Sequence, residues 1–463
     1  MTQAEALIIL KTGANVFLTG EPGAGKSYTI NEYVAYLRNH GIKPAITAST
    51  GIAATHIGGM TIHSWSGIGI NDSLDIKDIR RIASSKHIGQ RIRDTHVLII
   101  DEVSMLAPAT LNMVEVICRE AKKNQDSLLG NKPFGGLQVI LVGDFFQLPP
   151  IIRKKRPEDE SEQIVLLDEP EAKFAYDSLA WIRTDPTVCY LTEQHRQDDK
   201  EYLSVLSSIR NSTFGMEHIN HIESRRSTYD KVPEDAPKLF SHNVDVDLVN
   251  ADMLSQLPDE QRDFKMSSYG LPNLVSTLKK GCLSPEVLSL KAGASVMFTK
   301  NNLRGGFVNG TLGIVKGFRE GDGYPIIQTR FGNVVIVEPM VWGIEEDGQV
   351  KAGISQMPLR LAWAITVHKS QGMSLDEAVM DLSEVFEYGQ GYVALSRVRR
   401  LSGLHLIGWN QRAFQVHPDI LAKDKEFRKA SDLIDKEYSG TAEKSIKKVQ
   451  NNFIVSSGGR IEI

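Results

Sequence analysis

Along the first half of the chain, apolar runs of strand length alternate with stretches of helical periodicity. The runs fall at 16–19, 45–49, 96–100, 138–142 and 188–191. Each is followed at once by polar or glycine-bearing residues. That alternation predicts a parallel α/β sheet. In such sheets the loops beyond the carboxyl ends of the strands form the ligand crevice. Five strand ends therefore bring five chemical segments to one rim. A second α/β pattern begins near Lys238, with strands expected at 238–241, 294–298, 378–381 and 404–407. It is interrupted at 305–355, where short β runs (311–315, 326–329 and 334–337) sit among Gly and Asn. Asn309-Gly310 is a two-residue turn signal. This segment reads as a small antiparallel barrel inserted into the second α/β unit. The expected division is 1–185 for the first domain, with a Gly- and Ser-rich insertion at 56–82. The second domain takes 186–304 and 356–430, the β insertion 305–355, and a C-terminal helix or tail 431–463, with little pattern from Gly440 onward.

Composition narrows the class. At 463 residues, 41% hydrophobic and 24% charged, the chain has the make-up of a soluble globular protein of about three domains. No apolar run approaches the ~20 residues of a membrane span. The N-terminus lacks the basic flank of a signal peptide. The expectation is a cytoplasmic protein with no membrane partner. Cys118, Cys189 and Cys282 are odd in number and far apart, so they read as core thiols rather than a disulfide framework. The net charge is −4, from 53 basic and 57 acidic residues. That balance speaks against a basic surface spread over the whole protein. One stretch departs from it: 275–319 holds seven Lys/Arg against one Glu, next to the β insertion, where a nucleic-acid path is expected. The run "RKKRPEDESE" at 153–162 reads as a solvated loop, with nuclear localisation the weaker alternative.

The candidate chemistry lies at the strand ends. "GEPGAGKS" at 20–27 has the form G-x-x-x-x-G-K-[ST], after a predicted strand and before a helical pattern. Its glycines (Gly20, Gly23, Gly25) let backbone amides approach phosphates at a helix N-terminus. Lys26 is expected to reach the outer phosphates of ATP and Ser27 to hold magnesium. "HVLIIDEVSML" at 96–106 places Asp101 where a magnesium-binding acid belongs, and Glu102 where a general base would activate water. "LVGDFFQLPP" at 141–150 offers Gln147 to the terminal phosphate or its attacking water. Phe145 and Phe146 read either as core or as a base-stacking platform. Arg196 in "LTEQHRQ" and Arg397 in "GYVALSRVRR" are candidate arginine fingers, although spacing alone does not pick them from the other arginines.

Taken in order, these motifs resemble those of a superfamily-one DNA helicase. They are joined by "ASTGIAATHIGGMTIHSW" (48–65) and "ITVHKSQGMSLDEAVMDL" (365–382). The segment "LNMVEVICREAKKNQDSLLGNKPFGG" (111–136) is similar to the signature of the PIF (petite integration frequency) helicases. The resemblance covers about residues 3–408. It implies two RecA-like domains with ATP between them, a strand-separating wedge at 56–82 and an SH3-like insertion in domain two. It also implies 5′-to-3′ movement on single-stranded DNA, with unwinding of duplex, forked and often G-quadruplex DNA. By resemblance, Gln3 reads adenine, Gly372 lies on the nucleotide side, and Arg196 and Arg397 contact the γ-phosphate. Thr50, Thr61, His63, Thr366, His368 and Lys369 match positions that face the DNA strand. Each Thr or His also has an ordinary alternative as a local hydrogen-bonding residue. The chain starts almost at the adenine-reading position, as expected of a compact bacterial or phage-type enzyme.

Three other readings compete. A RecD-like or relaxase-linked helicase would share the chemistry, but the 111–136 signature and the stand-alone length speak against it. A P-loop switch or transporter engine of the ABC type would carry "LSGGQ", and "LSGLH" at 401–405 is not that motif. A binding module with vestigial ATPase is disfavoured by the intact Lys26, Asp101, Glu102, Gln147 and both arginines.

Overall fold

The computed structural model describes residues 1–461 except 58, 70–72, 151–171, 195–198, 234–235, 241–245, 303, 331, 347–348, 368–369 and 371–373. The chain divides into two compact units. The first comprises Met1–Phe145, Pro149–His195 and Lys423–Ile463, and the second Phe146–Leu148 and Arg196–Ala422.

In chain order, the first unit contains α1 (Gln3–Leu10), β1 (Val16–Gly20), α2 (Lys26–Asn39), β2 (Ala45–Ala48), α3 (Gly51–His56), β3 (Met60–Thr61) and α4 (Ile62–Ser66). There follow α5 (Ile76–Ala83), α6 (Ile88–Asp94), β4 (Val97–Asp101), α7 (Pro108–Lys123), β5 (Gln138–Val142) and β6 (Thr187–Leu191). Its six strands form one sheet in the order β3-β2-β4-β5-β1-β6, every pair parallel. A strand covered on both faces reads as a continuous apolar run. Accordingly β1 and β5 are buried at every position. One face carries Val16, Leu18, Ile99, Ile140 and Val142, packed against Ala6, Ile9 and Leu10 of α1 and Ile30, Tyr33 and Leu37 of α2. On the other face Phe17 meets Phe145, Trp181 and Phe427, with ring centroids 5.5, 4.9 and 5.0 Å apart.

The expected strands are all present, but two belong elsewhere than the division assigned them. The strand at 187–191, placed in domain two by a boundary at 185, pairs with β1 from Val16↔Thr187 to Gly20↔Leu191. Ser295–Phe298, expected in the second parallel sheet, is instead antiparallel to Leu312–Phe318 and to Leu359–Leu361. It is wholly buried, and an apolar run of that kind carries no signal of its partners' direction.

The second unit's parallel sheet has four strands in the order Ala364–Thr366, Lys238–Phe240, Ala378–Leu382 and Leu404–Trp409. Among the described residues two smaller antiparallel sheets pair Met340–Glu346 with Gln349–Gln356 and that strand with Ser267–Gly270, and Val287–Leu290 with Arg262–Lys265. The largest antiparallel sheet has five strands, in the order Val334–Ile336, Pro325–Thr329, Leu312–Phe318, Ser295–Phe298 and Leu359–Leu361. Its core contains Val296, Phe298, Phe307, Val315, Ile327 and Leu359. Thus the antiparallel part reaches beyond both ends of the expected 305–355.

The helix Pro418–Gly440 runs across the expected boundary at 430, and the residues beyond it, read as having little pattern, form a second helix, Glu443–Ser456. Ile454 is buried in the same core as α1 and α2, with Phe453, Ile434 and Tyr438 packed against it. Cys118 and Cys189 are buried free thiols, as expected, whereas Cys282 is half-buried. Phe145 and Phe146 are both buried, which settles them as core. Among the described residues no helix is long and apolar enough to cross a membrane. The 153–162 charge run lies outside the described residues.

Candidate active site

The carboxyl ends of β1, β2 and β4 lie on one edge of the first sheet. From β1 the chain turns through Gly20–Ser27 into α2. Two of its glycines are required by geometry. A Cβ on Gly20 (φ +148°) would lie 2.7 Å from the Leu191 carbonyl oxygen, and one on Gly25 (φ +87°) would fall 2.0 Å from Nε2 of Gln3. Gly23 also has a positive φ. Lys26 Nζ donates to the Gly20 and Glu21 carbonyls at 2.8 and 3.1 Å. Ser27 is exposed in the first turn of α2, where the orphan amides and the helix dipole favour an anion.

Asp101 closes β4. Burial raises its carboxyl pKa, while the Glu102 amide and the nearby Lys26 ammonium pull it down. A half-buried carboxylate and an exposed hydroxyl on the sheet edge with the phosphate-binding turn are hard oxygen donors of the kind magnesium takes. Among the described residues no cluster of three or more His, Cys, Asp or Glu is placed to hold a metal ion. Glu102 is one of four non-glycine residues with positive φ (+52°) among the described residues. Its amide donates to Asp101 Oδ1 at 2.8 Å, and its carbonyl accepts from Ser49 Oγ at 2.8 Å. The Ser49 amide donates to the Asp101 carbonyl at 3.0 Å.

Gln3 opens α1. Its amide donates to Glu193 Oε2 at 2.9 Å and its Nε2 to the Ala24 carbonyl at 3.3 Å. Thr50 and Thr61 follow or end β2 and β3, which pair through Ala48↔Thr61. Both hydroxyls do local work: Thr50 Oγ1 accepts from Ala53 N, and Thr61 Oγ1 from Ser64 N, each at 3.2 Å. His63 is half-buried on α4.

In the second unit, Gln147 is buried within Phe146–Leu148. Arg397 is buried after the helix Gln390–Leu395 and donates to the Val393 carbonyl, the Ser370 carbonyl and Ser396 Oγ. Thr366 is half-buried at the end of its strand. Arg196, His368, Lys369 and Gly372 lie outside the described residues. Sequence reading missed Ser49 and Glu193. Ser49 lies within the quoted 48–65 motif, but its partner is 53 residues away in the chain.

Residues 2–212 match the model of the PIF1-like helicases, and residues 273–318 match that of the 2B domain of DNA helicase Pif1. The chain is 39% identical to the ATP-dependent DNA helicase Pif1 of Psychrobacter, over 100% of this chain and 76% of that one. It is 34% identical to ATP-dependent DNA helicase PIF1 of Xenopus laevis, over 94% of this chain and 66% of that one. The structure is similar to that of Bacteroides Pif1 in complex with ADP-AlF4, with a TM-score of 0.78, 28% identity, and coverage of 92% and 96%. It is also similar to Bacteroides Pif1 with ADP-AlF3 and single-stranded DNA, with a TM-score of 0.61, 29% identity, and coverage of 92% and 96%. Motif order, a parallel sheet with the phosphate loop and both acids on one edge, and these likenesses agree: the chain belongs to the PIF1-like helicases, a family of ATP-dependent DNA helicases.

Proposed function

We propose that this chain hydrolyses ATP to move 5′ to 3′ along single-stranded DNA, unwinding duplex, forked and G-quadruplex DNA as it goes. The observation that carries the reading is the edge of the first sheet, where the Glu102 amide donates to Asp101 Oδ1 at 2.8 Å and the Lys26 ammonium is near enough to act on that carboxylate. The amides of Gly20, Gly23 and Gly25 and the Lys26 ammonium bind the phosphates, while Gln3 reads the adenine and Gly372 belongs to the nucleotide side. Ser27 and Asp101 hold Mg2+, which when bound offsets charge on the β- and γ-phosphates. A water oriented by Gln147 attacks the γ-phosphorus. Its proton passes to Glu102, the new P–O bond forms, and the bond to the β-phosphate oxygen breaks. Arg196 and Arg397 stabilise the charge on the transferring group.

Nucleotide that binds one conformation of the chain more strongly shifts the conformational equilibrium, and hydrolysis withdraws that bias. Thr50, Thr61, His63, Thr366, His368 and Lys369 hold the strand, with 56–82 as the wedge and the antiparallel sheet of the second unit as the SH3-like insertion. The single-stranded DNA in the Bacteroides relative supports the choice of partner.

The test is ATPase with and without single-stranded DNA, alongside unwinding of duplexes bearing a 5′ or a 3′ tail. Strong stimulation and unwinding from the 5′ tail alone are expected. Lys26→Ala should abolish both activities while single-strand binding persists. An unstimulated ATPase, or a Lys26→Ala chain that still unwinds with ATP, would reject the motor assignment.

A further inference from the structure

Helix α1 presents Gln3 at one end and ends at Leu10, where terminal carbonyls need partners from outside the helix. The turn that follows supplies the Lys11, Thr12 and Gly13 amides, and two further partners come from distant elements. Gln138 Nε2, on β5, donates to the Leu10 and Ala14 carbonyls at 2.9 and 2.8 Å. Gln450 Nε2, on the last helix, donates to the Ile8 carbonyl at 3.0 Å. One turn further along that helix, the Phe453 ring covers the turn after α1. A Cβ on Gly13 (φ +86°) would meet its Cδ2 at 2.2 Å. Ile454 completes the core that α1 shares with α2. The preceding helix reaches the phosphate loop itself: the Arg428 guanidinium lies 3.8 Å from Glu21 Oε1 and is held by Asp424 at 2.7 Å. The C-terminal segment therefore touches the nucleotide site's supports at both α1 and the loop.

We infer that the helix Glu443–Ser456 sets the pose of α1, and that Gln450 and Phe453 are positioning residues for nucleotide-base discrimination. At its N-terminal end α1 is held by Glu193, which accepts from the Gln3 amide, and by the Met1 ammonium on the Tyr190 carbonyl. Its C-terminal end is held by Gln138, Gln450 and Phe453, and the Gln3 Nε2 sits on Gly25. A small rotation of α1 would carry the amide off that glycine while leaving Lys26, Asp101 and Glu102 in place. This rests on the reading of Gln3 as the adenine-contacting residue.

The experiment uses the full chain with saturating single-stranded DNA. Steady-state ATP and GTP hydrolysis is compared for wild type, Gln450→Ala, Phe453→Ala, Gln3→Ala and the Gln3→Ala/Phe453→Ala double variant. For Phe453→Ala, KM for ATP should rise about three- to tenfold, the range that a coupled position outside the site carries. KM for GTP and both kcat values should hold within about twofold. Gln450→Ala, which removes one hydrogen bond near the surface, should shift the ATP/GTP preference in the same direction by less, and it guards against a folding failure in the Phe453 variant. In the Gln3→Ala background, Phe453→Ala should no longer change the preference, because the two act in series. A Gln3→Ala chain that loses its preference while both C-terminal variants keep theirs overturns this inference alone. A Gln3→Ala chain with an unchanged preference overturns the adenine reading, and this inference with it.

Discussion

Glu102 occupies φ +52° and ψ +44° at the strand-to-turn junction. A glutamate pays for that left-handed conformation, and residues held so collect at functional sites. Here two bonds hold it: its amide to Asp101 Oδ1, and Ser49 Oγ to its carbonyl. The two adjacent acids thus stand on different backbone: Asp101 ends β4, and Glu102 opens the turn in the left-handed region. Glu102→Gln keeps the backbone and the shape but accepts no proton. Its kcat for ATP should fall about 10²- to 10⁴-fold, as for the loss of a general base, with nucleotide affinity unchanged. Fluorescent-nucleotide titration and steady-state turnover separate the two effects, and near-wild-type turnover would remove Glu102 from the base role. The two acids and the loop were legible because a phosphate site needs glycine, lysine and carboxylate at fixed local spacing. Ser49 was not, because its bond closes across two strands. Thr50 and Thr61 were legible as polar positions, and the structure adds that both hydroxyls cap helices.

At the scale of elements, the 111–136 segment was recognisable as a signature but not as a device. In the structure it fastens the end of α6. Lys122 of α7 is buried and donates to the Arg93 and Thr95 carbonyls at 2.7 and 2.8 Å, tying α6 down just before β4. The turn after α7 passes close beneath it: a Cβ on Gly135 (φ +66°) would lie 2.5 Å from Lys122 Cβ. Lys122→Met keeps the bulk but leaves two buried acceptors without their donor. It should destabilise the chain by about 1–3 kcal/mol, read as a urea midpoint, and an unchanged midpoint would refute the fastening. Glu115, 2% exposed, faces Arg119 at 3.3 Å and Arg183 at 3.9 Å. Burial nonetheless raises its pKa. The folded chain thus holds this proton more tightly than the unfolded one. The stability so gained is present below the ordinary carboxylate pKa and lost as pH rises through the raised value. Glu115→Gln should therefore match wild type near pH 4 and be more stable than it at pH 8, and a variant less stable at pH 8 would mean the arginine pairs outweigh burial. The last helix shows how a signal is overlooked. Ile446, Val449, Phe453 and Ile454 follow the i, i+3, i+7, i+8 spacing of an amphipathic helix, in a stretch otherwise polar enough to read as tail.

For the whole molecule, fold class followed from alternating apolar runs, whereas strand partners did not. Nothing in the apolar run at 295–298 specifies that its neighbours run antiparallel. The charge balance needed the structure in the same way. The basic excess in 275–319 was expected to grip DNA, yet much of it is engaged locally. Lys279 pairs with Glu286, Lys291 donates to the Leu257 carbonyl, Lys300 to the Val341 carbonyl, and Arg319 meets Asp322. Lys280, Arg304 and Lys316 are the exposed cations of that stretch. Each phosphate neutralised on a single strand contributes about −0.7 to the slope of log affinity against log salt. About three such contacts from this stretch, with few others on a chain of net charge −4, give an expected slope of about −2 to −4. A motor that must release its track each cycle is served by a grip of that kind, built more from hydroxyl, backbone and stacking contacts than from ion pairs. Single-strand affinity measured by anisotropy over a salt series decides the matter. A slope steeper than about −6 would mean that the local pairs of Lys279, Lys291, Lys300 and Arg319 open to phosphate on binding.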